Sequence, residues 1–236
     1  NKIFDPRPTM LLSCTNVVKT YRQGTQEVHA LRGVNLDISE GEFSAVVGPS
    51  GSGKSTLLNL LGCLDIPTSG EIHFDGKVVN KLSDYERSVL RNHSIGFIFQ
   101  NFQLIPVLSA FENVEFALQI LGRLSPAERR ARTLAIINEV GLDDAKGRRP
   151  SELSGGQQQR VAIARALVKE PKFVLADEPT ANLDSKTAQD IIELMLRLNA
   201  EKKTTFLFST HDARVMKFAR RVLTINDGRI EENETR

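Results

Sequence analysis

The run Gly48-Pro-Ser-Gly-Ser-Gly-Lys-Ser55 constrains this chain more than any other segment. It satisfies the pattern G-x-x-x-x-G-K-[ST] without a mismatch, and its surroundings fit. Before it, Phe43-Ser-Ala-Val-Val47 reads as a buried strand. After it, Leu57, Leu58, Leu60 and Leu61 fall on one face of a helix starting at Lys54. Gly48, Gly51 and Gly53, spaced by Pro49, Ser50 and Ser52, let the backbone curl so that successive N–H groups face one anion. The helix N-terminus adds its positive end. In such a loop Lys54 bridges the β- and γ-phosphates, Ser55 takes Mg²⁺, and Thr56 completes the nucleotide-binding run. Taken alone, the motif implies a nucleoside triphosphate site and nothing narrower.

Composition leaves room for such a site in one large domain. The apolar share is 40% and the charged share 25%, enough for a core without disulfides or metals. Cys14 and Cys63 lack metal-type spacing and are expected as buried, reduced thiols. Basic residues number 31 against 29 acidic ones, a net charge of +2 that gives no nucleic-acid footprint. No apolar run approaches the ~20 residues that span a bilayer. The first residues lack the basic-then-apolar form of a signal peptide; residues 1–9, with Pro6 and Pro8, read as a loose leader. A cytoplasmic protein is therefore expected, with any membrane role supplied by a partner.

Strands alternating with helices predict an α/β fold around a mainly parallel sheet. Strand candidates are 43–47, 95–99, 173–176, 205–208 and 222–225, the last followed by the hairpin turn Asn226-Asp-Gly228. Residues 17–38 read as antiparallel edge structure. Between 101 and 160 the texture turns helical: 111–121 and 126–140 show helical spacing, with Glu128, Arg129, Arg130 and Arg132 on the outer face. Helices also follow Gly156 and Asp184, the second with Ile191, Met195 and Leu198 on one stripe. The division expected is a nucleotide-binding core over 1–100 and 161–236, with the helical subdomain 101–160 inserted into a single domain 1–236.

Lys172-Phe-Val-Leu-Ala-Asp177-Glu178 is an apolar strand ending in two carboxylates. Side chains alternate along an extended chain, so the two acids are expected to have different duties. Asp177 would partner Mg²⁺ beside Ser55, and Glu178 would activate the attacking water as general base. A second glycine-rich helix start lies far from the first. Leu153-Ser-Gly-Gly-Gln-Gln-Gln-Arg160 offers Ser154 as N-cap, while Gly155 and Gly156 leave backbone N–H groups uncovered ahead of Gln157.

Leu-Ser-Gly-Gly-Gln is the signature of ABC-type ATPases, and the chain resembles that family over residues 12–231. The resemblance implies a P-loop NTPase (RecA-like) core with an antiparallel β subdomain, ATP and Mg²⁺ as cofactors, and ATP hydrolysis. It implies a homodimer in which the signature Ser154-Gly-Gly-Gln157 of one subunit closes over ATP held by the other, and an integral membrane permease as partner. It places Tyr21 where the family stacks a ring on adenine, and Gln100 where a glutamine touches Mg²⁺ and water. His211 stands in the place of the histidine that contacts the γ-phosphate, and Asn182-Leu-Asp184 in the loop that links the two sites. His29, His73 and His93 match no motif.

The stretches Gly62-Cys-Leu-Asp65, Pro67-Thr-Ser-Gly70 and Gly96-Phe-Ile-Phe-Gln100 look like the lipoprotein-release and macrolide-export subgroup, with the cell-division ATPase that controls wall hydrolases close by. Ala181 departs from the glycine usual after Pro-Thr. The chain ends soon after its last hairpin, which leads us to expect a separate subunit without a regulatory C-terminal domain or fused membrane domain. A soluble ABC ATPase acting on nucleic acid or ribosomes is the alternative; it calls for tandem cassettes, a coiled coil or a basic patch. A simple P-loop kinase or GTPase leaves the signature unexplained.

Overall fold

The computed structural model describes residues 9–24 and 26–235. The expected leader therefore lies, apart from Thr9, outside the described residues. An antiparallel hairpin comes first: β1 (Met10–Gln23) and β2 (Gln26–Ser39), paired from Met10 opposite Ser39 to Gln23 opposite Gln26, with register shifts between Met10 and Leu12 and between Cys14 and Thr20. Strand β3 (Phe43–Val47) then runs through the glycine loop into α1 (Lys54–Leu61). Next come β4 (Ser69–Phe74), β5 (Lys77–Val78), α2 (Asp84–Ser94) and β6 (Ile95–Ile98). Helices α3 (Ala110–Leu121), α4 (Pro126–Glu139) and α5 (Gly155–Leu167) follow. The remaining elements are β7 (Phe173–Ala176), α6 (Ser185–Lys202), β8 (Thr205–Ser209), α7 (Ala213–Met216), β9 (Arg221–Asn226) and β10 (Arg229–Thr235).

Helix starts follow local chemistry. Ser83, Ser109, Ser125 and Ser154 each accept the N3 amide, while Glu86, Glu112, Glu128 and Gln157 reach back to the cap amide. Ser83-x-x-Glu86 marks α2, an element absent from the sequence reading together with β4 and β5. Arg129, expected on an outer face, is half-buried and donates to the Leu124 carbonyl at 3.0 Å.

A six-stranded sheet runs β10-β9-β3-β8-β7-β6, parallel except where β10 pairs antiparallel with β9. The second sheet, β2-β1-β4-β5, is antiparallel. Alternating residues of the central strands feed two cores. Phe43, Val174, Ala176, Phe206 and Phe208 pack with α3 to α6, whereas Phe173, Leu175 and Leu207 pack with α1 and the antiparallel sheet. Coverage on both faces explains why these strands read as unbroken apolar runs. Both cysteines are buried free thiols. The helical segment shares its apolar cluster with the central sheet, and α5 runs unbroken across residue 160.

Candidate active site

The carboxyl ends of β3, β6, β7 and β8 lie on one side of the parallel sheet, the position where open α/β sheets place ligands. Each delivers one piece of the site. After β3, the glycine loop packs against the β9–β10 turn: the Gly228 amide donates to the Ser52 carbonyl at 2.9 Å. A Cβ on Gly48 would stand 2.1 Å from the Ile225 carbonyl oxygen. One on Gly53, at φ 109°, would stand 2.6 Å from that of Ala30. Glycine is thus demanded by backbone contact at both ends of the loop. Lys54 Nζ donates to the carbonyls of Gly48 at 2.8 Å and Pro49 at 2.9 Å, so the ammonium is aimed along the loop.

After β7 come the two acids, but strand alternation is not what separates them. The strand ends at Ala176, and Glu178 takes a left-handed conformation, φ 48°. Ser209, at the end of β8, fixes this turn: its buried hydroxyl donates to Asp177 Oδ1 at 2.6 Å and accepts the Glu178 amide at 2.8 Å. Asp177 Oδ2 accepts from Ser55 Oγ at 2.9 Å. Glu178 Oε2 instead lies 2.6 Å from Nδ1 of His211, just past β8. After β6, the Gln100 carbonyl accepts from Asn182 Nδ2 at 3.0 Å, tying that loop to the segment before α6.

These pieces line a cleft of about 1120 Å³. Tyr21, Gly48, Pro49, Ser50, Gly51, Gly53, Lys54, Ser55, Thr56, Gln100, Asp177, Glu178 and His211 all face it. Ser52 does not; it is buried beneath the loop with its hydroxyl unpartnered. Ser154, Gly155, Gly156 and Gln157 lie outside the cleft, at the start of α5. Gly156 also has a packing duty, since a Cβ there would meet Thr187 Cγ2 at 2.5 Å.

Sequence reasoning missed Ser209, which lies between the strand candidate 205–208 and His211. It also missed the cleft wall formed by β2 and the β9–β10 turn, where Arg32 and Asp227 pair at 3.5 Å. His29, left without a role, lines the same wall and its Nδ1 lies 3.0 Å from Thr20 Oγ1. Neither carries a motif, and only the fold brings them to the cleft.

Oxygen donors at Ser55 and Asp177 suit a hard cation, and Mg²⁺ binds through one or two carboxylates plus substrate phosphates. Among the described residues no cluster of three or more His, Cys, Asp or Glu side chains forms a closed metal cage. The donor set thus fits a metal that arrives with its nucleotide.

The ABC transporter family model matches residues 31–181. The ABC transporter ATP-binding protein MJ0796 of Methanocaldococcus jannaschii is 48% identical over 227 residues, covering 95% of this chain and 97% of that protein. The macrolide export ATP-binding/permease protein MacB of Syntrophobacter fumaroxidans is 49% identical over 222 residues, but the match spans only 31% of its length. Among solved structures, a dimer of MJ0796 in a post-hydrolysis state with ADP and Pi superposes with a TM-score of 0.88 at 47% identity, covering 95% of this chain and 98% of that one. CbiO1 from Clostridium perfringens, part of the ABC transporter complex CbiONQ, gives 0.87 at 33% identity, covering 96% and 89%.

Proposed function

The chain belongs to the ABC transporter family as an ATP-binding and ATP-hydrolysing cassette, and on that premise we propose that it works as a head-to-tail homodimer closing on two ATP molecules to drive an integral membrane permease. One observation carries this reading. The cleft gathers the phosphate loop, Asp177, Glu178 and His211, yet excludes the second glycine-rich helix start at Ser154. A helix N-terminus with uncovered amides is an anion site, and this one faces no phosphate of its own chain. A second copy supplies the phosphate. The dimeric structure of the MJ0796 cassette supports assembly as a dimer.

In this reading the loop amides and Lys54 hold the phosphates, and Ser55, Asp177 and Gln100 would hold Mg²⁺, which would supply charge neutralisation at the phosphates. Glu178 takes the proton of the attacking water, and His211, 2.6 Å from its carboxylate, orients it toward the γ-phosphate. Tyr21 stacks on the adenine. No helix among the described residues is long and apolar enough to cross a membrane. In this reading the cassette acts at the inner membrane face, docked on its permease partner. The likeness to MacB favours export or lipoprotein release as the class of work.

The test is assembly. Glu178→Gln should form a stable dimer in ATP by light scattering while turnover falls ~10²–10⁴-fold. Adding Ser154→Arg should return it to monomer with ATP still bound. A dimer that ignores Ser154→Arg would refute the shared site, and co-purification with nucleic acid instead of a membrane protein would refute the transport role.

A further inference from the structure

Gly62-Cys-Leu-Asp65 and Pro67-Thr-Ser-Gly70 take no part in the chemistry above. In the fold they leave α1 and pass beside β1. The Leu64 and Asp65 amides donate to the Asn59 carbonyl at 2.9 and 3.4 Å, keeping the segment on the phosphate-loop helix. On the other side, the Thr68 amide donates to the Val18 carbonyl at 2.8 Å, and Thr68 Oγ1 accepts the Thr20 amide at 3.0 Å. Asp65 is therefore held between that helix and the strand bearing Tyr21.

Both carboxylate oxygens of Asp65 engage that strand. Oδ1 accepts Lys19 Nζ at 2.7 Å and the Ile66 amide at 2.7 Å; Oδ2 accepts the Tyr21 hydroxyl at 2.9 Å. Lys19 Nζ also donates to the Ile66 carbonyl at 2.8 Å and stands over the Tyr21 ring, 4.8 Å from its centroid. The Lys19 side chain is only 11% exposed, so the ammonium is fixed where it stands. Burial, then the Asp65 contact, raise the Tyr21 phenol, which keeps the proton it donates. Burial opposes ionisation of Asp65, but the bonds from Lys19, the Ile66 amide and Tyr21 outweigh it and hold the carboxyl below its usual range.

We propose that Asp65 and Lys19 are positioning residues for nucleobase recognition, Asp65 tethering the Tyr21 hydroxyl and Lys19 occupying one ring face so that the other is presented to the base. A free tyrosine loses rotamer entropy on stacking; here that loss is incurred during folding, which is how preorganisation raises affinity. The ammonium adds a cation–π contact that keeps the ring from turning. The tether also links the base platform to α1, so base and phosphates are held by one rigid unit. This inference rests on the proposed stacking role of Tyr21.

The experiment compares ATP with inorganic tripolyphosphate, which offers the phosphates without a base. Asp65→Asn, Lys19→Met and Tyr21→Phe should each raise KM for ATP about three- to tenfold, with the loss in KM rather than kcat, and leave tripolyphosphate affinity at the wild-type value. Tyr21→Phe combined with Asp65→Asn should be no worse than the weaker single variant, because both remove one interaction. Tyr21→Ala tests the underlying reading and should weaken ATP about tenfold or more. If Tyr21→Ala leaves ATP binding intact, stacking and positioning fall together. If it weakens ATP but the other variants do not, stacking stands and positioning is overturned. Equal losses for ATP and tripolyphosphate would also overturn it, because the contacts would then only hold the phosphate-loop helix.

Discussion

The Ser55 hydroxyl donates to the Asp177 carboxylate across 2.9 Å, joining the first turn of α1 to the residue after β7, 122 positions apart in the chain. If the pair receives a cation together with ATP, the charge of Asp177 matters and its shape does not suffice. Asp177→Asn should cut Mg²⁺-dependent hydrolysis by about 10²-fold or more, as loss of a preorganised charge at such a site does. ATP binding measured calorimetrically in EDTA should be unaffected. Unchanged hydrolysis would remove Asp177 from the metal site.

Ser209 holds Asp177 and the Glu178 amide from one buried hydroxyl. Ser209→Ala leaves both partners short of a hydrogen bond, which costs about 1–3 kcal/mol of stability by chemical denaturation. Because it releases the turn that points Glu178 away from Asp177, turnover should fall while KM for ATP holds. Normal kcat in a destabilised variant would reduce Ser209 to a structural role.

Lys169, just beyond α5, donates to the Ile95 carbonyl at 3.2 Å, and burial, assisted by the charge of Arg91, lowers its pKa from 10.5 to about 8. Below that value the lysine is charged in both folded and unfolded chains, and its burial is a standing cost. Between about 8 and 10.5 only the unfolded chain keeps the proton, so rising pH relieves the cost and stability from this group increases. Lys169→Met should therefore be more stable than the parent at pH 7, by up to about 3 kcal/mol. The difference should shrink as pH passes through that window in parallel denaturation series. A pH-independent difference would contradict the shifted ionisation.

Gly156 meets Thr187 Cγ2 within 2.5 Å of any added Cβ. Gly156→Ala should lower the melting temperature, and Thr187→Ser, which deletes that methyl, should restore it. ATP-driven dimerisation should stay impaired in the pair if the uncovered amides at the start of α5 are what the neighbouring subunit's phosphate needs. Full recovery of dimerisation would assign Gly156 to packing alone.

Much of the site was legible because its chemistry is local. A phosphate loop is built from consecutive amides, so Gly48 to Ser55 had to lie together in sequence. The cap at Ser154 and the apolar strand before Asp177 are likewise short-range patterns. Ser209, His29, Arg32 and Asp227 were not legible, since each contributes through a neighbour remote in sequence and of ordinary residue type. The sequence reading separated the side chains of Asp177 and Glu178 by strand alternation, whereas in the structure a left-handed turn at Glu178 separates them.

The phosphate loop determined by itself that a strand, a tight turn and a helix must succeed one another here, because backbone amides can converge on one anion in few other ways. What surrounds that loop was decided by tertiary structure. Strand β9 sets the Ile225 carbonyl against Gly48, β8 brings Ser209 under the acids, and Asp65 reaches across to Tyr21. Those contacts depend on which strands lie side by side in the sheet, an outcome of burying apolar strand faces in two cores. Hydrophobic patterning specifies that such burial occurs, while the pairing of particular polar groups follows only once the whole chain has packed.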